Sequence, residues 1–237
     1  MNAIIGGTGI DEFFPDSKIY EIDTKYGKAE YLKKDNIIII LRHGLKHSLP
    51  PHLINYRANV EALRLLGVEQ CIGIYSVGSI SKKLLPGGVT IISDFIDFTN
   101  GQRESTFSCE NDVFHNEMTS PFNLSLKVNI KKEASLCNFP LDEGGVYICT
   151  NGPRLETPAE IRMFDHFGAD FVGMTGCPEF SLLSEAKIKY VSLAYSINWA
   201  SGVNQDKITF LETQSRDKIA QAIISFCIRC FKITDIS

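Results

Sequence analysis

The sequence predicts a single α/β domain, with a mixed central β-sheet flanked by helices. Three observations predict it. Short apolar, β-branched runs alternate along the chain with segments whose apolar residues recur at helical spacing. No internal repeat or low-complexity linker divides the 237 residues, so 1–237 reads as one unit. Hydrophobic residues make up 44% of the chain and charged residues 22%, which supplies a full core without the charge excess of a disordered chain.

In chain order, Ile4-Ile5 is a strand running into Gly6-Gly7-Thr8-Gly9. Ile37 to Leu41 (IIIIL) is a continuous apolar run of buried-strand length, and Asn55 to Leu66 follows with helical periodicity. Gln70 to Val77 and Val89 to Phe95 read as the next two strands. Thr99 to Thr119 is polar, weakly periodic and too long for an ordinary turn, which marks it as a candidate functional loop. Val146 to Thr150, Phe171 to Met174 and Tyr190 to Ile197 are further strands, and Pro158 to Phe167 and Arg216 to Phe231 are helices. Thr157 before Pro158 is an N-cap followed by a proline at the first helical position.

Charge and composition exclude several classes. A formal net charge of −4 argues against a nucleic-acid polymer as partner, since such binders need a basic field. The first residues lack a charged segment followed by an apolar stretch, and no run reaches the ~18 apolar residues of a membrane helix. Seven scattered cysteines read as reduced thiols of a cytoplasmic protein rather than a disulfide framework. Cys227 and Cys230 have C-x-x-C spacing, but no second pair or nearby histidine accompanies them, so they read as cysteines on a helix face.

The polar motifs sit at strand ends, where α/β proteins place ligands. Gly6-Gly7-Thr8-Gly9 offers backbone N–H groups and a hydroxyl to an anion; a tight turn is the alternative reading. Arg42-His43-Gly44 follows the Ile37–Leu41 strand and combines a planar cationic fork with an imidazole. His47 and His52 lie in the same loop, but no Asp, Glu or Cys accompanies them there, so a metal site is not expected. Ser76-Val77-Gly78-Ser79 supplies hydroxyls at another strand end. Glu156 stands just before the capped helix, where it is either a site carboxylate or an acid complementing the helix dipole. Met174-Thr175-Gly176 and Asn198-Trp199-Ala200 close two more strands, and Trp199 could equally be core. A dinucleotide site on the N-terminal glycines is the rival from another class. It would need a G-x-G-x-x-G pattern, a following helix and a ribose-binding acid about twenty residues on. Glu21 and Asp23 are near that distance, but the pattern and the helix are missing. A non-catalytic phosphate- or nucleotide-binding module is a further alternative.

Taken in order, IIGGTG, RHG with NYRAN, SVGS, HNEMTSPF, NGPRLETPAE, GMTGCPE and a closing NW, the motifs resemble the purine nucleoside and methylthioadenosine phosphorylase family from Ile4 to about Glu212. The resemblance implies a mixed-sheet α/β domain, commonly a homotrimer or a dimer of trimers. It implies phosphorolysis: phosphate attacks C1′ of a purine nucleoside and the base leaves, with no metal or organic cofactor. Thr8, Arg42, His43, Ser76 and Thr175 then correspond to phosphate ligands, Met174 to the residue beneath the ribose, and His115 to one reaching a neighbouring subunit's site. Asn198 and His43 carry the catalytic roles. Asn198, Trp199, Ala200, Glu156 and Leu155 fall at the base, and Ile208, Phe210 and Leu211 at the 5′ group.

Two departures bear on substrate. Family members that take adenine nucleosides carry Asp where this chain has Asn198. An amide can donate to a 6-oxo group while accepting from a protonated N7, and Glu156 can accept from the N1–H that only a 6-oxopurine carries. The late histidine that holds a 5′-hydroxyl in the trimeric class is replaced by Lys207-Ile208-Thr209-Phe210-Leu211, an apolar stretch suited to a 5′-methylthio group. The combination resembles the methylthioinosine branch of the family. General inosine and guanosine phosphorolysis and methylthioadenosine phosphorolysis are the alternatives. Leu155 departs from the aromatic residue common beside the base, and Tyr75-Ser76 from a Thr-Ala pair.

Overall fold

The computed structural model describes residues 1–7, 13–14, 17–44, 48–101, 103–109, 112–204 and 207–234; Thr8 and His47 lie outside them. The centre of the sheet is parallel. Strand β1 (Asn2–Gly6) pairs on one edge with β4 (Ile37–Leu41) and on the other with β5 (Gln70–Ser79). β10 (Lys189–Trp199) pairs with β5 along its length. These strands are apolar on both faces because both are covered. Ala3, Ile5, Ile38 and Ile40 join one core cluster, with Tyr56, Val60 and Leu63 of α1 (Tyr56–Leu65) and Phe180, Leu182 and Leu183 of α4 (Glu179–Glu185). Ile4, Ile37 and Ile39 point the other way, onto Ile223, Cys227 and Phe231 of α5 (Thr213–Thr234). The period-two alternation of a strand thus splits one apolar run between two layers.

Two antiparallel features flank this centre. β2 (Ile19–Thr24) and β3 (Gly27–Lys34) form a hairpin that pairs through β3 with β4 and ends the sheet. β2 alternates between exposed and partly buried residues and β3 buries only Ala29 and Leu32, so the hairpin has no apolar run to mark it in the sequence. Glu21 and Asp23 fall inside β2 and pair with Glu30 and Lys28 across the hairpin. That arrangement contradicts the dinucleotide alternative, which needs a parallel second strand reached through a helix.

At the other end, β9 (Phe171–Gly173) takes over from β1 on the edge of β5, meeting Gly78 and Ser79 antiparallel. β8 (Val146–Cys149) then pairs parallel with β9. The predicted strand Val89 to Phe95 is two strands: β6 (Val89–Ile91), antiparallel to β10, and β7 (Asp94–Asp97), parallel to β8. The chain changes partner at Ile92–Ser93, where Ile92 N–H donates to Ser192 O and Ser93 N–H to Gly145 O. One apolar run therefore serves two neighbours.

Helix α3 (Pro158–His166) begins as expected: Thr157 accepts from the Glu160 N–H, and Glu160 accepts from the Thr157 N–H, closing a capping box. Helix α2 (Leu124–Cys137) is not foreseen. Asn123 caps it, and it buries only Leu126, Ile130, Glu133 and Ala134. Cys227 and Cys230 are buried on α5, and burial pushes the Cys230 thiol up to about 12. Among the described residues no helix is long and apolar enough to cross a membrane.

Candidate active site

A cavity of about 430 Å3 opens at the carboxyl ends of the central strands, within the size range of small-molecule sites. The segment after β4 contributes His43 and Ser48 to Pro51, and β5 contributes Ser76, Val77 and Gly78. Val172 to Thr175 come from β9 and its extension, and Leu155 and Glu156 from the segment before α3. Ile197, Asn198, Ala200 and Ser201 come from the end of β10, and Ile208 and Phe210 from the segment beyond. Sequence motifs scattered over about 170 residues thus share one cavity because parallel strands end on the same side of the sheet. Ser48 to Pro51, Val172 and Ser201 join the lining without having been marked as site residues.

One wall reads a polar, planar group. β10 is irregular between Ser196 and Asn198 in its pairing with β5, and both Ile197 and Asn198 border the cavity. Asn198 is 5% exposed, and its Nδ2 donates to Trp199 O at 2.8 Å. That bond leaves Nδ2 a second hydrogen and Oδ1 its acceptor capacity. Gly78 makes room for the amide: a Cβ there would lie 3.2 Å from Asn198 Nδ2. Glu156, 8% exposed, is held twice. Thr150 Oγ1 donates to Glu156 Oε1 at 2.7 Å, and Ser201 Oγ donates to the Glu156 carbonyl at 2.5 Å. Burial raises the Glu156 carboxyl above its usual range, and the Thr150 bond pulls it back.

The opposite chemistry, small hydroxyls and an imidazole, comes from Ser76, Thr175 and His43. His43 Nδ1 lies 2.7 Å from Leu49 O, so Nδ1 carries a hydrogen and donates it. A neutral ring then presents Nε2 as an acceptor, and donation from Nε2 to an anion requires the imidazolium. Met174 stands beside Thr175 in the lining, and Gly152, at φ +60°, makes way for its side chain.

Arg42 departs from expectation. Its guanidinium does not line the cavity. Nε and Nη2 each donate to Glu179 at 2.8 Å, and Nη1 donates to Ile74 O at 2.9 Å. Tyr75 stacks its ring 4.3 Å from the guanidinium carbon and donates its hydroxyl to the same carboxylate. Burial works against the Arg42 charge, and Glu179 outweighs it, leaving the guanidinium pKa above its ordinary value. The fork expected on phosphate is therefore closed on Glu179, and what Arg42 can offer a ligand is the second hydrogen of Nη1, on the side facing Gly7. Glu179 lies within the GMTGCPE motif, but its partner is 137 residues away, so no local pattern announces the pair.

Three other expected residues stand apart. Trp199 does not line the cavity; its carbonyl anchors Asn198 instead. Leu211 is also outside the lining, with its N–H donating to Ile197 O at 2.8 Å, a bond that ties the Lys207–Leu211 stretch to β10. His115 is exposed and away from this chain's own cavity. Of the loop Thr99 to Thr119, Arg103 is buried and donates to Cys177 O at 2.6 Å and Asn151 O at 2.7 Å, bridging the segments after β8 and β9 that carry Glu156 and Thr175.

The phosphorylase superfamily model matches residues 3–229, nearly the whole chain, and the chain belongs to that family. Within it, the chain is 44% identical over 220 residues to the probable S-methyl-5′-thioinosine phosphorylase of Methanocaldococcus jannaschii, covering 92% of this chain and 86% of that one. It is 38% identical over 230 residues to the probable 6-oxopurine nucleoside phosphorylase of Dictyoglomus turgidum, covering 92% and 87%. Among solved structures, the methylthioadenosine phosphorylase of Schistosoma mansoni in apo form superposes with a TM-score of 0.88 at 26% identity, over 100% of this chain and 92% of that one.

Proposed function

We propose that the chain catalyses the phosphorolysis of S-methyl-5′-thioinosine to hypoxanthine and 5-methylthioribose 1-phosphate. A phosphate oxygen bonds to C1′ as the C1′–N9 bond breaks, the bonding pair leaves with the purine, and the proton that hydrogen phosphate gives up ends on N7 of the base. Inorganic phosphate is the co-substrate, and the reaction balances without a metal or organic cofactor. The observation that carries this reading is the meeting of Asn198 and Glu156 in one cavity with Ile208 and Phe210.

In this reading Asn198 Oδ1 accepts from N7–H and its free Nδ2 hydrogen goes to O6. Glu156 accepts from N1–H. As the bond to the base lengthens, negative charge builds on the purine, and hydrogen bonds that tighten at that moment lower the barrier. Thr8, His43, Ser76 and Thr175 hold phosphate, with Arg42 contributing through Nη1. Met174 underlies the ribose, and Ile197, Ile208 and Phe210 receive the methylthio group, where a hydroxyl would go unpaired. The relatives named for S-methyl-5′-thioinosine and for 6-oxopurine nucleosides support the base assignment.

The working unit is a homotrimer in which the exposed His115 reaches a neighbouring subunit's nucleoside near its 5′ group. A cytoplasmic setting agrees with seven cysteines that are all free thiols.

The test is phosphate-dependent base release from methylthioinosine, methylthioadenosine, inosine and adenosine side by side. Preference for methylthioinosine is the expected result. Equal or better use of inosine keeps the base reading and overturns the 5′ assignment. Preference for methylthioadenosine overturns the base reading, and no turnover of any of them overturns the proposal.

A further inference from the structure

Glu156 reads the base in the proposal above, yet among the described residues no cationic side chain bonds its carboxyl. It stands between the main cavity and a second one of about 350 Å3, lined by Thr150, Asn151, Arg154, Glu160 and Phe164 among others, and it borders both. The nearest guanidinium, Arg154, is turned away: its Nη1 and Nη2 donate to Glu160 at 2.8 and 2.6 Å. Its backbone is fixed by Ser201, but a glutamate carboxyl still rotates about its last bond. The group that fixes the carboxyl itself is Thr150, whose Oγ1 donates to Oε1 at 2.7 Å. Thr150 is well placed to do this because its own backbone is pinned at the end of β8, its N–H donating to Gly173 O at 2.9 Å.

We propose that Thr150 is a positioning residue for base recognition, occupying Oε1 of Glu156 so that Oε2 is the oxygen presented to the N1–H of a 6-oxopurine. The inference rests on the reading of Glu156 as the base acceptor and goes beyond it by assigning the residue that orients that acceptor. Thr150 has a second effect of the same origin. A hydrogen bond to the charged form favours that form, and the ionised Glu156 is the stronger acceptor for N1–H, with both oxygens free of protons. The groups facing the carboxyl act in small opposing ways: Glu160 raises its pKa and Arg154 lowers it. His43 is the other ionisable group lining the main cavity. Burial disfavours the charge most, and the Thr150 bond is the largest counterweight.

The sign follows. Removing the Thr150 hydroxyl raises the Glu156 pKa further, so on the acid limb a larger share of the enzyme carries a protonated Glu156 that accepts more weakly. Activity should return as pH rises and the carboxyl ionises.

The experiment measures kcat/KM for methylthioinosine from mildly acidic to mildly alkaline pH in the wild type, Thr150→Val, Thr150→Ala, Thr150→Ser and Glu156→Leu. Thr150→Val preserves the shape and β-branching of the side chain, and Thr150→Ala covers the case in which the valine variant fails to fold. The expected result is an acid limb moved up by ~1 pH unit in the valine and alanine variants, with a loss approaching tenfold on its acid side, activity recovering as pH rises, and wild-type behaviour in the serine variant. A loss by the same factor at every pH, or no loss, overturns the assignment of Thr150 while leaving Glu156 as the base reader. Full activity of Glu156→Leu, which has no acceptor, overturns the base reading itself, so the two failures are distinguishable.

Discussion

Replacing Asn198 by Asp tests the base reading at the atom where substrate classes differ. Asn198 is 5% exposed, and its Nδ2 donates to Trp199 O at 2.8 Å while keeping one hydrogen for the substrate. Aspartate of the same size loses both donations: the carboxylate oxygen that replaces Nδ2 faces both the Trp199 carbonyl and O6 of the base, while the other oxygen still accepts from N7–H. Each lost bond to a buried group costs about 1–3 kcal/mol. The bond to Trp199 O is lost in the free enzyme and the transition state alike and falls on stability, so the donation to O6 alone sets the kinetic loss, about ten- to a hundredfold in kcat/KM for methylthioinosine. For methylthioadenosine the carboxylate becomes an acceptor for the exocyclic amine, so turnover should rise. The gain is bounded, because ionised Glu156 still meets the unprotonated N1 of adenine. The assay follows hypoxanthine and adenine release with phosphate present and absent, at saturating phosphate, for both nucleosides. A variant within twofold of wild type on methylthioinosine would refute the assignment of Asn198 to the base.

Other perturbations probe the remaining parts of the site. Phe210→Ala should raise KM for methylthioinosine about tenfold by removing apolar contact worth ~1–2 kcal/mol, and leave KM for inosine nearly unchanged; equal effects on both would place the 5′ group elsewhere. Glu179→Ala should cost about 3–5 kcal/mol of stability, because it leaves Arg42 charged and unpaired in the core, whereas Tyr75→Phe should cost only ~1 kcal/mol; urea unfolding of both variants checks the order. Arg154 and the Thr157 backbone hold the Glu160 carboxyl down to about 2. A depressed carboxylate stabilises the fold above its unfolded pKa and stops doing so as pH falls through the folded value. Glu160→Gln should therefore lower the melting temperature at neutral pH, with the gap from wild type closing between about pH 4.3 and pH 2; a gap independent of pH would point to lost packing instead.

The legible parts of the fold were those where local chemistry and tertiary role coincide. β4 occupies Ile37–Leu41, the run that the apolar pattern marks, because a strand covered on both faces needs no alternation. The start of α3 is legible for the same reason, since Thr157, Pro158 and Glu160 act within one turn. The hairpin β2–β3 hides because its faces are mostly solvated. α2 hides because the exposed Leu124, Val128 and Leu136 break the apolar stripe that Leu126, Ile130 and Ala134 would draw.

In the site, strand ends located Ser76, Thr175, Glu156 and Asn198 in the cavity without long-range information. The direction of a side chain was harder. Arg42 follows β4 as predicted, but its charge is drawn inward by Glu179, a partner visible only once the chain is folded. Trp199 adjoins Asn198 in sequence but not in the cavity lining.

The irregularity in β10 gives this site an inheritance of its own. In a regular strand, neighbouring residues point to opposite faces; here Ile197 and Asn198 both border the cavity. Ile197 is also the residue whose carbonyl tethers the stretch carrying Ile208 and Phe210. In the proposed reading of the site, base choice and 5′ choice therefore share one peptide link. A lineage that altered one preference by shifting this stretch of backbone would disturb the other, and a single-residue deletion at the irregularity would scramble both. Side-chain exchange on an unmoved backbone is the path that lets the two preferences change one at a time.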